Sequence, residues 1–239
     1  MGAVGNMQIA PDTVIEDATG GSGADAINGN AAANRLTGNA GADQLYGRAG
    51  ADVLNGGDGN DRLWGEDGND QMAGGLGNDS LYGGAGDDRL SDAGGVNLLD
   101  GGLGNDVLAG GSGNDRLLGA AGSDTISGNG GNDLIEGGNG GDRLFGQNGA
   151  DRIQGDAGND ILIGGAGDDT LLGGTGNDVL ARQGLLLGLL ALGSLAATGV
   201  AAWAAAGPTS TTFIDATAIP SAWADVGADR VFGLAGYPG

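Results

Sequence analysis

Sixteen aspartates of this chain fall on a single nine-residue phase: Asp25, Asp43, Asp52, Asp61, Asp70, Asp79, Asp88, Asp106, Asp115, Asp124, Asp133, Asp142, Asp151, Asp160, Asp169 and Asp178. The two gaps in the series hold Asn34 and Asn97. Carboxylates repeated at fixed spacing can either do acid–base work or collect cations. The chain has no His and no Cys, so the usual acid–base and thiol chemistries are missing. It also has no Lys, and its nine Arg cannot neutralise thirty-one acidic residues, which leaves a net charge of −22. Hard oxygen donors without nitrogen or sulfur ligands point to Ca²⁺, which accepts flexible six- to eight-fold oxygen coordination. Phosphate would be repelled by this field, so nucleic acid is excluded as a partner.

The elements that must hold these aspartates follow from the same period. From Gly20 to Ala181 the chain is eighteen nonapeptides without insertion or deletion, as in Gly56-Gly57-Asp58-Gly59-Asn60-Asp61-Arg62-Leu63-Trp64. Position one is Gly except at Asp92, position four is Gly except at Ala32, and position six carries the aspartates. Position eight is aliphatic in every copy. Positions one to six read as a turn, because glycine supplies positive φ and close backbone approach. Positions seven to nine read as a three-residue strand whose alternation turns position eight inward.

Two turns and two strands make a coil of eighteen residues. The expected fold is therefore all-β: a parallel β-roll, or β-solenoid, of about nine coils, roughly 43 Å long at the ~4.8 Å inter-strand spacing. Odd repeats supply one sheet and even repeats the other. Stacking places Asp61 between Asp43 and Asp79 on one edge, and Asp70 between Asp52 and Asp88 on the other. Like charges at that spacing repel unless a cation lies among them.

The unit Gly-Gly-x-Gly-x-Asp-x-aliphatic-x resembles the RTX, or haemolysin-type, calcium-binding repeat, a nonapeptide motif known for its parallel β-roll and its Ca²⁺. The resemblance covers about two thirds of the chain. It implies ions held between the turns of repeats i and i+2, with the sixteen position-six aspartates as metal ligands and at most sixteen sites (18 − 2). It also implies a secreted, extracellular bacterial protein that leaves by type I secretion machinery. In that route the chain is unfolded at low cytosolic Ca²⁺ and folds outside. Asn6-Met7-Gln8-Ile9, Thr13-Val14-Ile15-Glu16-Asp17-Ala18 and the following Gly20-Gly21-Ser22-Gly23 are similar to the start of the C-terminal β-roll of serralysin-type secreted metallopeptidases. Those enzymes use a His-rich zinc motif, so a chain without His would be the non-catalytic part of such an architecture. The other passengers open to this reading are a different hydrolase and an extracellular adhesin rod. An ice-binding rod is disfavoured, since Thr175 is the one Thr at position three.

The domain organisation expected is a lead-in over 1–19, the calcium-binding roll over 20–181, an apolar segment over 182–206 and a linker with a partial repeat over 207–239. No signal peptide is evident in the first twenty residues, which lack a basic region and an apolar stretch. Leu185 to Ala206 carries no charge and is compatible with a helix. It reads as part of a secretion signal or an apolar cap in preference to a membrane anchor, because its Gly and Ala make it weakly hydrophobic. Gly227 to Gly236 repeats the motif out of register, with Asp229 at position six, as if the sequence were a piece of a longer array.

Three further features are expected to be structural. Tyr46, Trp64 and Tyr82 share position nine of successive odd repeats and should form an outward aromatic ladder. Arg35, Arg62, Arg89, Arg116 and Arg143 recur every twenty-seven residues at position seven, serving charge balance. The repeats holding Asn34 and Asn97 are read as drift, with weaker Ca²⁺ binding where a neutral amide replaces a carboxylate.

Overall fold

A computed structural model of the chain describes residues 6–8, 17–182 and 210–214. These form two parallel sheets, one of ten strands and one of eleven. Odd-repeat strands pair only with odd and even only with even. Within the roll the register advances by eighteen residues per rung, as in Arg62↔Ser80, Leu63↔Leu81 and Trp64↔Tyr82. The expected coil is therefore the observed one.

The strands are longer than expected. Most run for six residues rather than three, from position seven through position three of the next repeat, as in Arg62–Asp67 and Gln71–Leu76. Position two pairs with its counterpart one coil on (Glu66↔Gly84) and so does position three (Asp67↔Ala85). A positive φ at position two bends the chain without breaking the ladder. Asn39, Arg48, Glu66, Ala120, Asn129, Gln147 and Asp156 all adopt it there, with φ of 71–85°. Asn and its like tolerate this region locally, while eighteen-residue pairing on both sides holds the others in place. The turn proper is reduced to positions four to six.

Positions one and four need glycine for different reasons. At position four, Gly59 has φ +143°, and a Cβ there would overlap the carbonyl of Gly41 in the preceding coil. At position one the φ is ordinary, and what excludes a side chain is the aspartate of the same repeat. A Cβ on Gly56 would run into Asp61 Oδ2 and sit 2.6 Å from the Gly74 carbonyl oxygen.

The core is one line of side chains between the sheets. It comprises Ala18 and the position-eight aliphatics from Ile27 to Leu180, most with no more than 2% of their surface exposed. Ala18 extends the series one repeat upstream, because Asp17–Thr19 already pairs with Arg35–Thr37 in the eighteen-residue register. Leu171 alone of the position-eight residues is only partly buried. It lies on the last strand of the ten-stranded sheet, Thr170–Thr175. The other sheet continues one strand further. Ser210–Ile214, expected to be linker, pairs in parallel with Asn177–Ala181. The apolar segment 185–206 and the out-of-register repeat around Asp229 lie outside the described residues. Among the described residues no helix is long and apolar enough to cross a membrane.

Each core side chain packs against its neighbours one coil above, one below and across the roll. Truncation in mid-rod leaves a cavity that rigid ladders on both sides cannot collapse. Leu117→Ala, at a fully buried position, is expected to cost about 2–5 kcal/mol. Thermal unfolding of the calcium-loaded protein measures it, and the same truncation at the partly exposed Leu171 should cost less.

Outward alternation holds for most of the roll and fails near its C-terminal end. Ile163 and Ala181, both at position nine, are buried and cluster with Phe145, Ile161 and Val179 on the outer face. Apolar residues at both positions seven and nine of neighbouring even coils build this second, smaller cluster. The aromatic ladder is present where expected. Tyr46 and Trp64 stack with centroids 4.4 Å apart and planes within 1°, and Trp64 and Tyr82 at 5.8 Å and 11°. Because the rings cover one another's faces, solvent meets mainly their edges, which suits sheet stabilisation. Arg48 adds a cation over the Tyr46 ring at 5.2 Å and an ion pair to Glu66 at 2.9 Å. Of the position-seven arginines, Arg35 approaches Asp17 at 3.9 Å and Arg116 approaches Glu136 at 3.6 Å. These pairs are exposed and contribute little.

Candidate metal centres along the two edges

The position-six aspartates line the two edges of the roll, where the turns stack. All sixteen are buried, at 1–6% exposure. Their two oxygens have different tasks. Oδ1 accepts the backbone N–H of the position-six residue one coil earlier: Asp43 to Asp61 at 2.8 Å, Asp61 to Asp79 at 2.7 Å, Asp106 to Asp124 at 2.7 Å, Asp142 to Asp160 at 2.9 Å. This makes a side-chain ladder along each edge. It continues the sheet through the turn, where main-chain pairing alone would leave an amide unsatisfied.

Oδ2 is left without a donor. In Asp43, Asp52, Asp61, Asp70, Asp79, Asp88, Asp106, Asp115, Asp124, Asp133, Asp142, Asp151, Asp160, Asp169 and Asp178 this oxygen is buried and accepts no hydrogen bond. Asp25, the sixteenth expected ligand, differs: its Oδ2 accepts the Gly21 N–H at 2.6 Å. A further orphan of the same kind is Oδ2 of Asp92, which stands at position one where the other repeats have glycine.

Burial without a donor has the expected electrostatic result. Desolvation pushes the carboxyls of Asp52, Asp61, Asp115, Asp124, Asp133, Asp142 and Asp160 up to about 6, against the opposing pull of the backbone N–H on Oδ1. Asp88 is pushed up to about 7 by burial, with the Asp70 and Asp106 charges adding to it. Asp43, Asp70, Asp79, Asp106 and Asp151 are raised as well, again chiefly by burial. A buried carboxylate is costly unless paired. Among the described residues no Arg forms an ion pair with a position-six aspartate.

The donor set fits a hard cation. Beside most of the orphan Oδ2 atoms lies the main-chain carbonyl of position one in the next coil: Gly74 for Asp61, Gly83 for Asp70, Gly137 for Asp124 and Gly155 for Asp142. Both oxygens border the space that a Cβ at position one would fill. Among the described residues no three acidic side chains converge on one point. A cation beside a regular orphan Oδ2 would take that carboxylate and complete its shell from neutral oxygens such as the neighbouring carbonyl, a complement that Ca²⁺ accepts and Zn²⁺ does not favour.

The two asparagines show what position six requires. Asn97 keeps the structural half of the role, since its Oδ1 accepts the Asp79 N–H at 2.9 Å. Its amide Nδ2 then donates to the Gly110 carbonyl at 3.4 Å, the carbonyl that elsewhere sits beside an anionic Oδ2. Asn34 is placed differently: its Oδ1 lies beside Gly29 and the Gly47 carbonyl and accepts the Asn30 N–H of its own repeat at 2.8 Å, as Asp25 Oδ2 does with Gly21, and its Nδ2 approaches Asn30 Oδ1 at 3.4 Å. In the Asn97 repeat a donor therefore stands where a cation ligand is expected, whereas in the Asn34 repeat a neutral amide oxygen replaces the carboxylate oxygen.

Position five carries a second ladder that sequence reasoning missed. Asn60 Oδ1 accepts the Asn78 N–H at 2.8 Å, Asn78 Oδ1 the Val96 N–H at 2.7 Å, and Asn114 Oδ1 the Asn132 N–H at 2.7 Å. The signal was available in the Asn that recurs at position five of many repeats. These amides tie the turns of successive coils together beside the position-six oxygens.

No curated protein matches the chain. The family model for the RTX calcium-binding nonapeptide repeat, each match spanning four copies, fits residues 19–54, 46–81, 74–108, 109–144 and 145–180. These stretches run through the whole roll and cover well over half of the sequence, and with the β-roll they show that the chain belongs to the RTX calcium-binding repeat family.

Proposed function

We propose that the roll is a calcium-dependent folding module of a secreted bacterial protein, and that its position-six aspartates are the metal ligands. The observation that carries this reading is the row of fifteen buried position-six carboxylate oxygens without a hydrogen-bond donor. No ion pair compensates them among the described residues, and most lie next to a main-chain carbonyl of the following coil. Ca²⁺ supplies the missing positive charge and binds the rolled form alone, because the ligands of one site come from two coils eighteen residues apart. Binding to the folded state only is thermodynamically equivalent to stabilising it.

The module is read as non-catalytic. Its aspartates are committed by period to the edges, and the absence of His and Cys removes the common nucleophiles and bases. A chain that stays unfolded at low Ca²⁺ and rolls up at high Ca²⁺ suits export through type I machinery into the extracellular space. The passenger it would accompany is a secreted metallopeptidase, another hydrolase or an adhesin.

The test is a calcium titration followed by far-UV circular dichroism. Asp61→Ala and Asp124→Ala each remove one orphan oxygen together with its Oδ1 rung. Each is expected to raise the free Ca²⁺ at half-folding about two- to ten-fold. Asp61→Asn keeps the rung and loses only the charge, so a midpoint shift in that variant isolates the metal contribution. Unchanged midpoints in all three would remove position six from the ligand set.

A further inference from the structure

The ninth repeat, Asp92 to Asp100, departs from the pattern twice, and the two departures are connected through the neighbouring coil. Asn97 stands where the carboxylate belongs, and Asp92 stands where glycine belongs in the other seventeen repeats. Asp92 Oδ1 is anchored by the N–H of Gly94 at 3.0 Å within its own turn. Its Oδ2 is turned away from that turn, toward the seventh repeat. A Cβ on Gly74 would run into Asp92 Oδ2 and lie 2.6 Å from Asp79 Oδ2. In many other coils the corresponding place beside the orphan oxygen is taken by a neutral carbonyl. Among the described residues Gly74 is the one position-one glycine approached by two carboxylates.

Both Oδ2 atoms are buried, and no group other than the facing carboxyl is placed to hydrogen-bond to either. Asp79 as a residue is 2% exposed. Two adjacent buried carboxylate oxygens repel strongly in a medium of reduced dielectric. The backbone nevertheless holds them together: the Asp79 N–H donates to Asn97, Asp79 Oδ1 accepts from Asp61, and Asp92 donates its N–H to the Ala109 carbonyl at 2.9 Å. Such a pair is a binding site for a divalent cation, since one ion relieves both charges.

We propose that Asp92 and Asp79 form a two-carboxylate calcium site, the tightest of the roll and the first to fill. This rests on the reading of position six as a ligand position and adds a residue outside it. On this reading the ninth repeat is not drift. Its carboxylate has moved from position six to position one, and so from its own coil to the site one coil earlier. Calcium affinity rises with the number of anionic ligands, so this site is expected to bind about ten-fold more tightly than a site with a single carboxylate. Lying in the middle of the array, it would pin the turns of the seventh and ninth repeats to each other. Folding could then propagate in both directions from there.

Equilibrium dialysis of the full chain against buffered free calcium tests this. Wild-type protein is expected to hold one ion per chain at a free calcium concentration about ten-fold below the midpoint of the remaining sites. Asp92→Asn should lose that leading ion while the main transition stays. The exposed acid Asp67 serves as the charge-matched control, and Asp67→Asn should keep it. Asp92→Gly restores the residue found at this phase in every other repeat. It therefore guards against misfolding, which circular dichroism in saturating calcium checks, and it too should lose the leading ion. Asp92→Gly with Asn97→Asp rebuilds a regular repeat, whose ion should bind with the main transition. A main transition with no leading ion in wild type, or a leading ion that survives both Asp92 variants, overturns the role of Asp92 alone. A chain that takes up no calcium at any concentration overturns the reading of position six as well.

Discussion

Transfer into chelator is expected to abolish the far-UV β signal of this protein, and millimolar Ca²⁺ to restore it. The argument is electrostatic. The roll stacks like-charged carboxylates along two edges, buries them, and leaves the Oδ2 of fifteen of them without a hydrogen-bond donor. The hydrophobic line that opposes this repulsion is one residue wide per repeat, and a glycine-rich chain has more conformational entropy to lose than an average one. Two Oδ1 ladders and a position-five ladder organise the turns without neutralising them. On the proposed reading, bound calcium adds to stability at repeat after repeat and acts on the folded form alone, so its removal should act on the whole array at once. The experiment is a reversible titration with hydrodynamic size read beside circular dichroism. A chain that remains compact and β-rich in chelator at neutral pH would show that packing and the amide ladders suffice without the ion.

In the absence of calcium, acid should do part of calcium's work. Burial raises the folded-state carboxyls of Asp52, Asp61, Asp115, Asp124, Asp133, Asp142 and Asp160 to about 6 and that of Asp88 to about 7, from an ordinary value of 3.8. Between those limits the rolled form binds more protons than the unfolded chain. Stability of the calcium-free roll therefore falls as pH rises through this window, and the contribution is lost above about 7. Lowering the pH from about 7.5 to about 5 in chelator should thus increase β content, the reverse of ordinary acid denaturation. The same protons compete for Oδ2, so the calcium needed to saturate the folded protein should rise over the same interval. Circular dichroism in chelator and a calcium-selective electrode read the two arms. Flat β content across the interval would mean that the orphan oxygens are charged and tolerated.

Much of this was legible because the period is strict. Leu63 must face inward, since its phase is aliphatic in eighteen of eighteen repeats and strand alternation leaves it no other side. Tyr46, Trp64 and Tyr82 must stack, since eighteen residues is one coil. Asp61 and Asp79 must share an edge for the same reason. A repeat puts every copy in one environment, so reading one unit reads them all.

Other features could not be read this way, because they depend on what lies one coil away in space. Glycine at position one is not there for its φ. It is excluded from bearing a side chain by the Oδ2 of its own repeat and the carbonyl of the next. Strands extend through position three because pairing eighteen residues on continues past a bend that local propensity would take for a turn. Ile163 and Ala181 are buried at an outward phase because apolar residues on adjacent rungs cover one another.

The sequence alone determined the coil, the core line and the chemical nature of the edges, since each is a property of phase. Tertiary structure decided how the carboxylates use their two oxygens, with Oδ1 in the ladder and Oδ2 left without a donor. It also decided that Asp25 does not follow the others and that Asp92 does. Those outcomes depend on contacts between atoms of different coils, and no single repeat contains them.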